Sequence, residues 1–244
     1  MDNFNFTDLT QELKLRSEGY PASIFAINIF LRDVFLSHIL RSSFDAYFRE
    51  LKTSYLESES QLSFTGDVMG IGSLHKISVF DELINEIECS VLAYIRTFSK
   101  MHQKIQVFHQ KSWPVFLKSG TTVDCHHHAN ADLSAIYYYD VPVGGSGGEL
   151  LFYSPIDLGL PSNAKGVDFW HNNQIIKVIK PYSGLLIIFP SILKHEVLKY
   201  TGDKQRISLS FDFTLTAASH FGSGQIENLS PSIDHWQAFR SHSS

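Results

Sequence analysis

The stretch LLIIFPSILKHEVLKYTGDKQRISLSFDF, residues 185–213, carries the clearest structural signal in the sequence. It contains three short apolar or alternating runs, at 185–189, 197–200 and 207–213. The turn sequence Thr201-Gly202-Asp203-Lys204 separates the last two runs, and glycine readily supplies the positive φ of a tight turn. Short runs divided by turn sequences are typical of antiparallel β structure.

Similar runs continue upstream as far as residue 104. No helix-length periodicity lies between them, which argues against a parallel α/β sheet. The predicted strands in this part of the chain are 105–108, 115–117, 133–139, 150–153 and 175–179. Many short strands at this spacing predict a sandwich or barrel of antiparallel strands.

The sequence before residue 104 has a different pattern. A first strand is predicted at 24–30, and apolar residues then recur at helical spacing over about 31–56 and again over about 79–101. The polar stretch 57–72 between them is predicted to be a loop.

These patterns together predict a mainly β (α+β) protein with one structural domain. Residues 1–103 are expected to form a strand and helices that pack on a β body of residues 104–216, and residues 217–244 are expected to form a tail. The 244 residues are 43% hydrophobic and 13% aromatic, which is enough to bury a substantial core.

Composition also excludes several classes of function. A net charge of −5 provides no basic surface for general nucleic-acid binding. No stretch reaches the roughly 18 apolar residues of a membrane span, and the first residues do not resemble a secretion signal. Two cysteines cannot form a disulfide framework, so we expect a cytoplasmic protein in a reducing compartment.

Three consecutive histidines, His126, His127 and His128, precede the predicted strand 133–139. In extended chain, side chains two residues apart share a face, so His126 and His128 point together. Two imidazoles on one face form half of a site for a metal such as Fe(II). A solvated polar turn is the alternative interpretation of the same pattern.

A third histidine, His195, lies close to a strand pair that is predicted from its turn. If Gly202 and Asp203 form a two-residue hairpin loop, His195 pairs with Ser210, and Arg206 and Ser208 share that face. Arg206 then lies about 13 Å along the strand from His195. A metal-chelating dicarboxylate of about five carbons and the arginine side chain can span that distance and form a two-pronged contact. A solvent-facing edge residue is the alternative for Arg206.

The order of short motifs along residues 105–214 resembles the Fe(II)/2-oxoglutarate-dependent oxygenases. The likeness is to the prolyl-hydroxylase-like branch and its small bacterial and phage relatives. The motifs that carry it are His126-x-His128, Ile136-Tyr137-Tyr138, Gly147-Gly148-Glu149-Leu150, Gly184 to Pro190, His195-Glu196-Val197 and Arg206-Ile207-Ser208.

The resemblance implies a double-stranded β-helix, or jelly roll, that uses Fe(II), 2-oxoglutarate and O2. It assigns Arg206 to the distal carboxylate of 2-oxoglutarate, with Ser208 as a helper and Tyr138 as a second hydrogen-bond donor. The chemistry it implies is hydroxylation of an unactivated C–H bond.

The resemblance also assigns metal ligands. The family's first and last metal histidines correspond to His126 and His195. The common family pattern is His-x-Asp, and this chain has His128 at the carboxylate position, so we expect a three-His site with Asp132 as a fallback carboxylate. An alternative registration makes His128 the first ligand and puts Asn130 second.

The substrate expected from the sequence is a small molecule, such as an amino acid or a natural-product intermediate. No long charged groove for a polypeptide is visible, and residues 57–72 and 155–173 are expected to border the site. Three alternatives stay open. They are a three-His cupin-type dioxygenase without 2-oxoglutarate, a non-catalytic cupin-like binding protein, and an oxygenase that halogenates, desaturates or closes a ring.

Overall fold

The computed structural model describes residues 20–24, 27–55, 63–100, 102–144, 146–153, 175–219 and 229–237. Within them are two α-helices and eleven β-strands. The helices are α1 (His38–Tyr55) and α2 (Asp81–Phe98). The strands are β1 (Tyr20–Ile24), β2 (Ile27–Asp33), β3 (Ser63–Thr65), β4 (Ile105–Leu117), β5 (Val123–His126), β6 (Leu133–Asp140), β7 (Leu150–Tyr153), β8 (Ile175–Ile179), β9 (Leu185–Pro190), β10 (His195–Val197) and β11 (Arg206–Ala217).

The strands form two antiparallel sheets. The large sheet has the order β1-β2-β9-β6-β11-β4-β3, and the small sheet has the order β5-β10-β7-β8. Consecutive strands repeatedly change sheet, as β9, β10 and β11 do, and this crossing is characteristic of a jelly roll. The predicted mainly β architecture is confirmed.

Strand β9 shows how the large sheet is buried on both faces. Leu186 and Ile188 belong to a cluster that includes the buried side chains of both helices. Leu185, Ile187 and Phe189 belong to a second cluster, shared with β7 and β10 of the small sheet. Because successive side chains of a strand point to opposite faces, the molecule has three layers: helices, large sheet, small sheet.

An aromatic group joins α1 to the outer face of the large sheet. Phe44 and Phe48 lie one helical turn apart, with ring centroids 5.5 Å and 5.3 Å from that of Tyr139 in β6. Phe80, just before α2, contacts the Phe44 ring at 4.5 Å. The predicted packing of two helices on one face of the β body follows from these contacts.

The N-terminal elements differ in part from the sequence prediction. The strand predicted at 24–30 is a hairpin of β1 and β2, and β2 continues to Asp33 because it pairs with β9. Helix α1 therefore begins at His38. Part of the loop predicted at 57–72 lies outside the described residues, and Ser63–Thr65 form β3 against β4. The division into 1–103, 104–216 and 217–244 stays a prediction.

Strand β4 is also longer than predicted. The runs 105–108 and 115–117 are the two ends of one strand, which pairs with β11 along its whole length. A register shift opposite Asp212 and Phe213 leaves Gln110 unpaired, and this bulge interrupts the alternation that a regular strand would show.

The predicted hairpin at Gly202 and Asp203 is wrong. Strand β10 pairs with β5 and β7, whereas β11 pairs with β4 and β6, so the segment between them crosses from one sheet to the other. Gly202 does not have a positive φ. A Cβ there would come 2.0 Å from the hydroxyl of Tyr200, so the glycine makes room for the tyrosine ring.

None of the described helices combines the length and the apolar character that crossing a bilayer would need.

Candidate metal and cosubstrate site

A cavity of about 700 Å³ opens between the two sheets. Its wall is formed by side chains of β4, β5, β6, β10 and β11. From β11 it receives four side chains at two-residue spacing: Arg206, Ser208, Ser210 and Asp212. The common face predicted for Arg206 and Ser208 is therefore present, although the predicted pairing of Ser210 with His195 is not.

Three imidazoles converge at one end of this cavity. His195 in β10 lies opposite His126 in β5, and their ring centroids are 4.4 Å apart. The ring of His128 lies 5.3 Å from that of His126 and 5.2 Å from that of His195. One ring nitrogen from each residue lies within 4.8 Å of the other two, which is close enough for a single ion to contact all three.

Backbone carbonyls orient two of these rings. The Nδ1 of His126 lies 2.7 Å from the carbonyl oxygen of Asp124, and the Nδ1 of His195 lies 2.9 Å from that of Leu193. A carbonyl oxygen can only accept, so Nδ1 carries the proton in both rings and donates. The lone pair of each neutral ring is then on Nε2.

A carboxylate orients the third ring, and sequence reasoning missed it. The Nδ1 of His128 lies 2.7 Å from Oδ1 of Asp212, which also accepts a hydrogen bond from the Ser134 hydroxyl at 2.8 Å. Asp212 stands in an apolar run, and its alternation with Arg206 and Ser208 was the available signal that it faces the cavity.

Burial keeps the central histidine neutral. His195 is only 2% exposed, and burial lowers the pKa of its imidazole to about 3, with a smaller contribution from His126 and His128. Burial likewise lowers the pKa of His126. Since a metal binds the neutral ring, both side chains are ready to act as ligands at neutral pH.

The fallback carboxylate of the sequence prediction lies elsewhere. Oδ2 of Asp132 accepts a hydrogen bond of 2.7 Å from the backbone N–H of Leu215, and Asp132 is not in the three-histidine group. Asn130, the second ligand of the alternative registration, is exposed and also lies outside that group.

Arg206 lies elsewhere on the same cavity wall. It is 2% exposed, yet no carboxylate among the described residues forms an ion pair with it. Its guanidinium donates one hydrogen bond to the carbonyl of Gly148, and its Nε has no partner. Burial lowers the pKa of this guanidinium, although an arginine in a protein stays protonated.

Two tyrosines flank the guanidinium. Its central carbon lies 5.4 Å from the ring centre of Tyr138 and 5.9 Å from that of Tyr200. The hydroxyl of Tyr138 is buried without a hydrogen-bond partner in the structure. Buried polar groups normally find partners, so this hydroxyl and Nε of Arg206 fit an anionic ligand that accepts hydrogen bonds. A dicarboxylate such as 2-oxoglutarate is such a ligand.

Gly148 allows the backbone to approach Arg206 closely. Its φ is +73°, and a Cβ at this position would come 2.8 Å from the guanidinium nitrogen Nη1. Any other residue would therefore displace the arginine as well as strain the backbone.

Sequence and structure comparisons show what this chain is similar to. Residues 111–212 match the family described as "Putative 2OG-Fe(II) oxygenase". No curated protein sequence is similar enough to count as a match.

Among solved structures, AviO1 from Streptomyces viridochromogenes Tue57 has a TM-score of 0.51 at 13% identity, over 91% of this chain and 99% of that one. The non-heme alpha ketoglutarate dependent epimerase SnoN from nogalamycin biosynthesis has a TM-score of 0.50 at 12% identity, over 92% and 96%. A prolyl-4-hydroxylase from Pseudomonas putida has a TM-score of 0.47 at 16% identity, over 76% and 91%.

The likenesses to AviO1 and SnoN confirm the double-stranded β-helix. The matched residues 111–212 include the three converging histidines and Arg206. This segment of the chain is therefore similar to the 2OG-Fe(II) oxygenases, and it contains the residues of the site.

Proposed function

We propose that the protein hydroxylates a small molecule, with the iron bound by His126, His128 and His195. Arg206 binds the distal carboxylate of 2-oxoglutarate, assisted by Tyr138 and Ser208. The observation that carries this proposal is that two buried, unpartnered polar groups, Nε of Arg206 and the Tyr138 hydroxyl, lie on the wall of the cavity into which three imidazoles converge.

The buried arginine favours this proposal over a three-His dioxygenase that needs no 2-oxoglutarate. Burying a cation without an ionic partner is unfavourable, so such a residue is explained best by an anionic ligand that pairs with it. The planar guanidinium suits the two oxygens of a carboxylate.

The chain's own contribution is binding, orientation and exclusion of water. When bound, the iron and 2-oxoglutarate supply the oxidising power for C–H hydroxylation. His126 and His195 offer neutral Nε2 atoms on paired strands, and the burial of Arg206 withholds the arginine–carboxylate pair from water, which strengthens it.

The wall of the cavity supports a small substrate. About 700 Å³ is within the usual range for a small-molecule site, and part of it must hold 2-oxoglutarate. Val115, Ile136 and Leu150 give an apolar interior, while Asp67, Lys111 and other polar side chains also contribute to the wall. A compact molecule with both apolar and polar groups, such as an amino acid or a natural-product intermediate, matches a wall that has both kinds of side chain.

Anaerobic reconstitution tests the metal and cosubstrate assignments. The apoprotein is loaded with Fe(II) and titrated with 2-oxoglutarate while the visible charge-transfer band of the chelate is recorded. We expect one equivalent of each to bind and the band to appear, whereas His195→Ala should give no band. Absence of the band from wild type, with Fe(II) bound, would contradict the proposal.

A screen tests the substrate class. Free amino acids and other small molecules are compared with prolyl peptides in an assay for succinate and for the hydroxylated product by mass spectrometry. We expect product from a small molecule. Product from peptides alone would show that the proposed substrate class is wrong.

A further inference from the structure

Asp212 and His128 form a buried pair at the edge of the three-histidine group. Here His128 stands at the position where the common pattern of related oxygenases has a metal-binding aspartate. We propose that Asp212 is a positioning residue that supplies, through the ring of His128, the negative charge a direct carboxylate ligand would provide. This inference rests on the proposed function, in which His128 binds the iron.

The contact between the two residues is short and largely withdrawn from solvent. Nδ1 of His128 and Oδ1 of Asp212 are 2.7 Å apart, and the side chains are 13% and 11% exposed. Donation from Nδ1 leaves Nε2 as the atom available to a metal. Trp113 stacks on the same imidazole with ring centroids 5.6 Å apart, which restricts the ring further.

The carboxylate of Asp212 is directed to His128 although a lysine is its cross-strand neighbour. Lys111 pairs with Asp212 in the β4–β11 register, yet its ammonium forms an ion pair of 2.9 Å with Asp67 instead. Within the described part of the chain, no lysine or arginine forms an ion pair with Asp212. Its charge is therefore available to the imidazole.

Two serines hold the carboxylate in place. The Ser134 hydroxyl donates to Oδ1 of Asp212 at 2.8 Å and lies 2.8 Å from the hydroxyl of Ser191. The carbonyl of Ser191 in turn accepts the backbone N–H of His128 at 2.9 Å. The same hydrogen-bonded group thus fixes both the acceptor and the ring that donates to it.

The electrostatic reason for the pair follows from the ligand set. Three neutral imidazoles leave the full charge of a divalent ion uncompensated in a partly buried cavity, whereas two imidazoles and a carboxylate compensate one unit of it. A carboxylate that accepts from the far nitrogen of a ligand ring raises the basicity of that ligand. Asp212 therefore supplies one negative charge to the site, separated from Nε2 of His128 by the imidazole ring.

The test measures Co(II) affinity of the anaerobic apoprotein together with the Co(II) absorption spectrum. Asp212→Asn keeps the shape and an oxygen that can accept from Nδ1, but removes the charge. We expect its Co(II) affinity to fall on the order of 10- to 100-fold with an altered spectrum, and Asp212→Ala to fall further. Melting temperature and far-UV circular dichroism should show that Asp212→Asn is folded.

Asp45→Asn is the matched control. Asp45 also accepts a hydrogen bond of 2.7 Å, from the hydroxyl of Tyr139, but it lies on α1 at the outer face of the large sheet. Loss of this carboxylate should leave Co(II) affinity and spectrum unchanged.

A charge swap provides the second arm of the test. In His128→Asp the new carboxylate lies against that of Asp212, so the two repel and metal binding should be poor. Changing Asp212 to Asn in the same protein removes the repulsion, so the double variant should bind Co(II) more tightly than His128→Asp alone. A structural role for Asp212 predicts no such rescue.

The outcomes separate this inference from the function on which it rests. Wild-type affinity and spectrum in Asp212→Asn, or a double variant no better than His128→Asp, would overturn the role of Asp212 alone. Failure of wild type to bind Co(II) or Fe(II) would overturn the proposed metal site and this inference with it.

Discussion

His195 lies directly opposite His126 across the antiparallel pair of β10 and β5, and their ring centroids are 4.4 Å apart. Strand β10 has only three residues, and on its other side His195 pairs with Phe152 of β7. Backbone pairing on both sides therefore determines where this imidazole lies. The pairing of the two strands brings the two rings together.

Because the sheet holds His195, its removal should affect metal binding far more than folding. We expect His195→Ala to lose Fe(II) retention while its far-UV circular dichroism stays that of wild type. Inductively coupled plasma spectrometry after reconstitution gives the metal content. His127→Ala is the control, since that exposed neighbour is outside the three-histidine group. One tightly bound equivalent of Fe(II) in His195→Ala would show that the ligand assignment is wrong.

Arg206→Ala should weaken 2-oxoglutarate binding sharply and leave Fe(II) binding close to normal. Loss of one partner of a buried charge pair costs on the order of 2–5 kcal/mol, or roughly thirty-fold to several thousand-fold in affinity. Arg206→Lys should recover part of the loss, since the charge survives but the planar contact does not. Anaerobic calorimetry measures the affinities. Equal binding by Arg206→Ala would contradict the assignment.

Tyr138→Phe should reduce 2-oxoglutarate affinity modestly. The hydroxyl is buried without a partner, and one hydrogen bond to a charged group is worth ~1 kcal/mol or somewhat more. Tyr137→Phe is a matched control, because its hydroxyl donates to the carbonyl of Val34 on the opposite face of the same strand. Calorimetry should show a weaker site in the first variant only, and an equal loss in both would argue against a direct contact.

The apoprotein should lose stability in acid because of His195. Burial lowers the pKa of this imidazole to about 3 in the folded protein, whereas in the unfolded chain it takes up a proton below about pH 6.5. The unfolded state then binds more protons, so the free energy of unfolding falls as pH falls from 6.5 toward 3, by on the order of 1 kcal/mol per pH unit. Urea titrations at several pH values measure it, and His195→Gln should show a weaker dependence. The same pH dependence of stability in wild type and in His195→Gln would show that His195 is not held neutral in the folded protein.

Asp132→Ala should lower stability and leave metal binding intact. Its carboxylate accepts the backbone N–H of Leu215, and loss of one such hydrogen bond costs about 1 kcal/mol. His128→Ala, in contrast, should lose the metal. Thermal unfolding and metal content of the two variants separate the roles. Loss of the metal from Asp132→Ala would show that Asp132 is a metal ligand after all.

Local sequence patterns predicted most of the strands. They could not predict which strands pair with each other, because pairing depends on residues far apart in the sequence. Alternation alone gave Arg206 and Ser208 a common face, because side-chain direction along a strand is a local property. The composition of the turn at Gly202 could not distinguish a hairpin from a crossover, since the glycine is needed for the packing of Tyr200. Strand β5 was missed because its short, exposed sequence shows no apolar run.

The partnership of Asp212 with His128 was equally hidden from local reasoning. The two residues are 84 positions apart, and an acid within an apolar strand gives no indication of its partner. The predicted ligands His126 and His195, in contrast, each carried a short motif that could be recognised at once.

The alternation in β11 ties the number of residues between Arg206 and Asp212 to the faces on which their side chains lie. Arg206 and Asp212 face the cavity about 20 Å apart along the backbone, at ~3.3 Å per residue, while Leu209 and Phe211 face the helices. One residue inserted or deleted between Arg206 and Asp212 would move the side chain of one of them to the other face of the sheet, among the apolar residues that pack on the helices. New substrates are therefore expected to be acquired through the outer wall of the cavity, with the spacing of β11 left untouched.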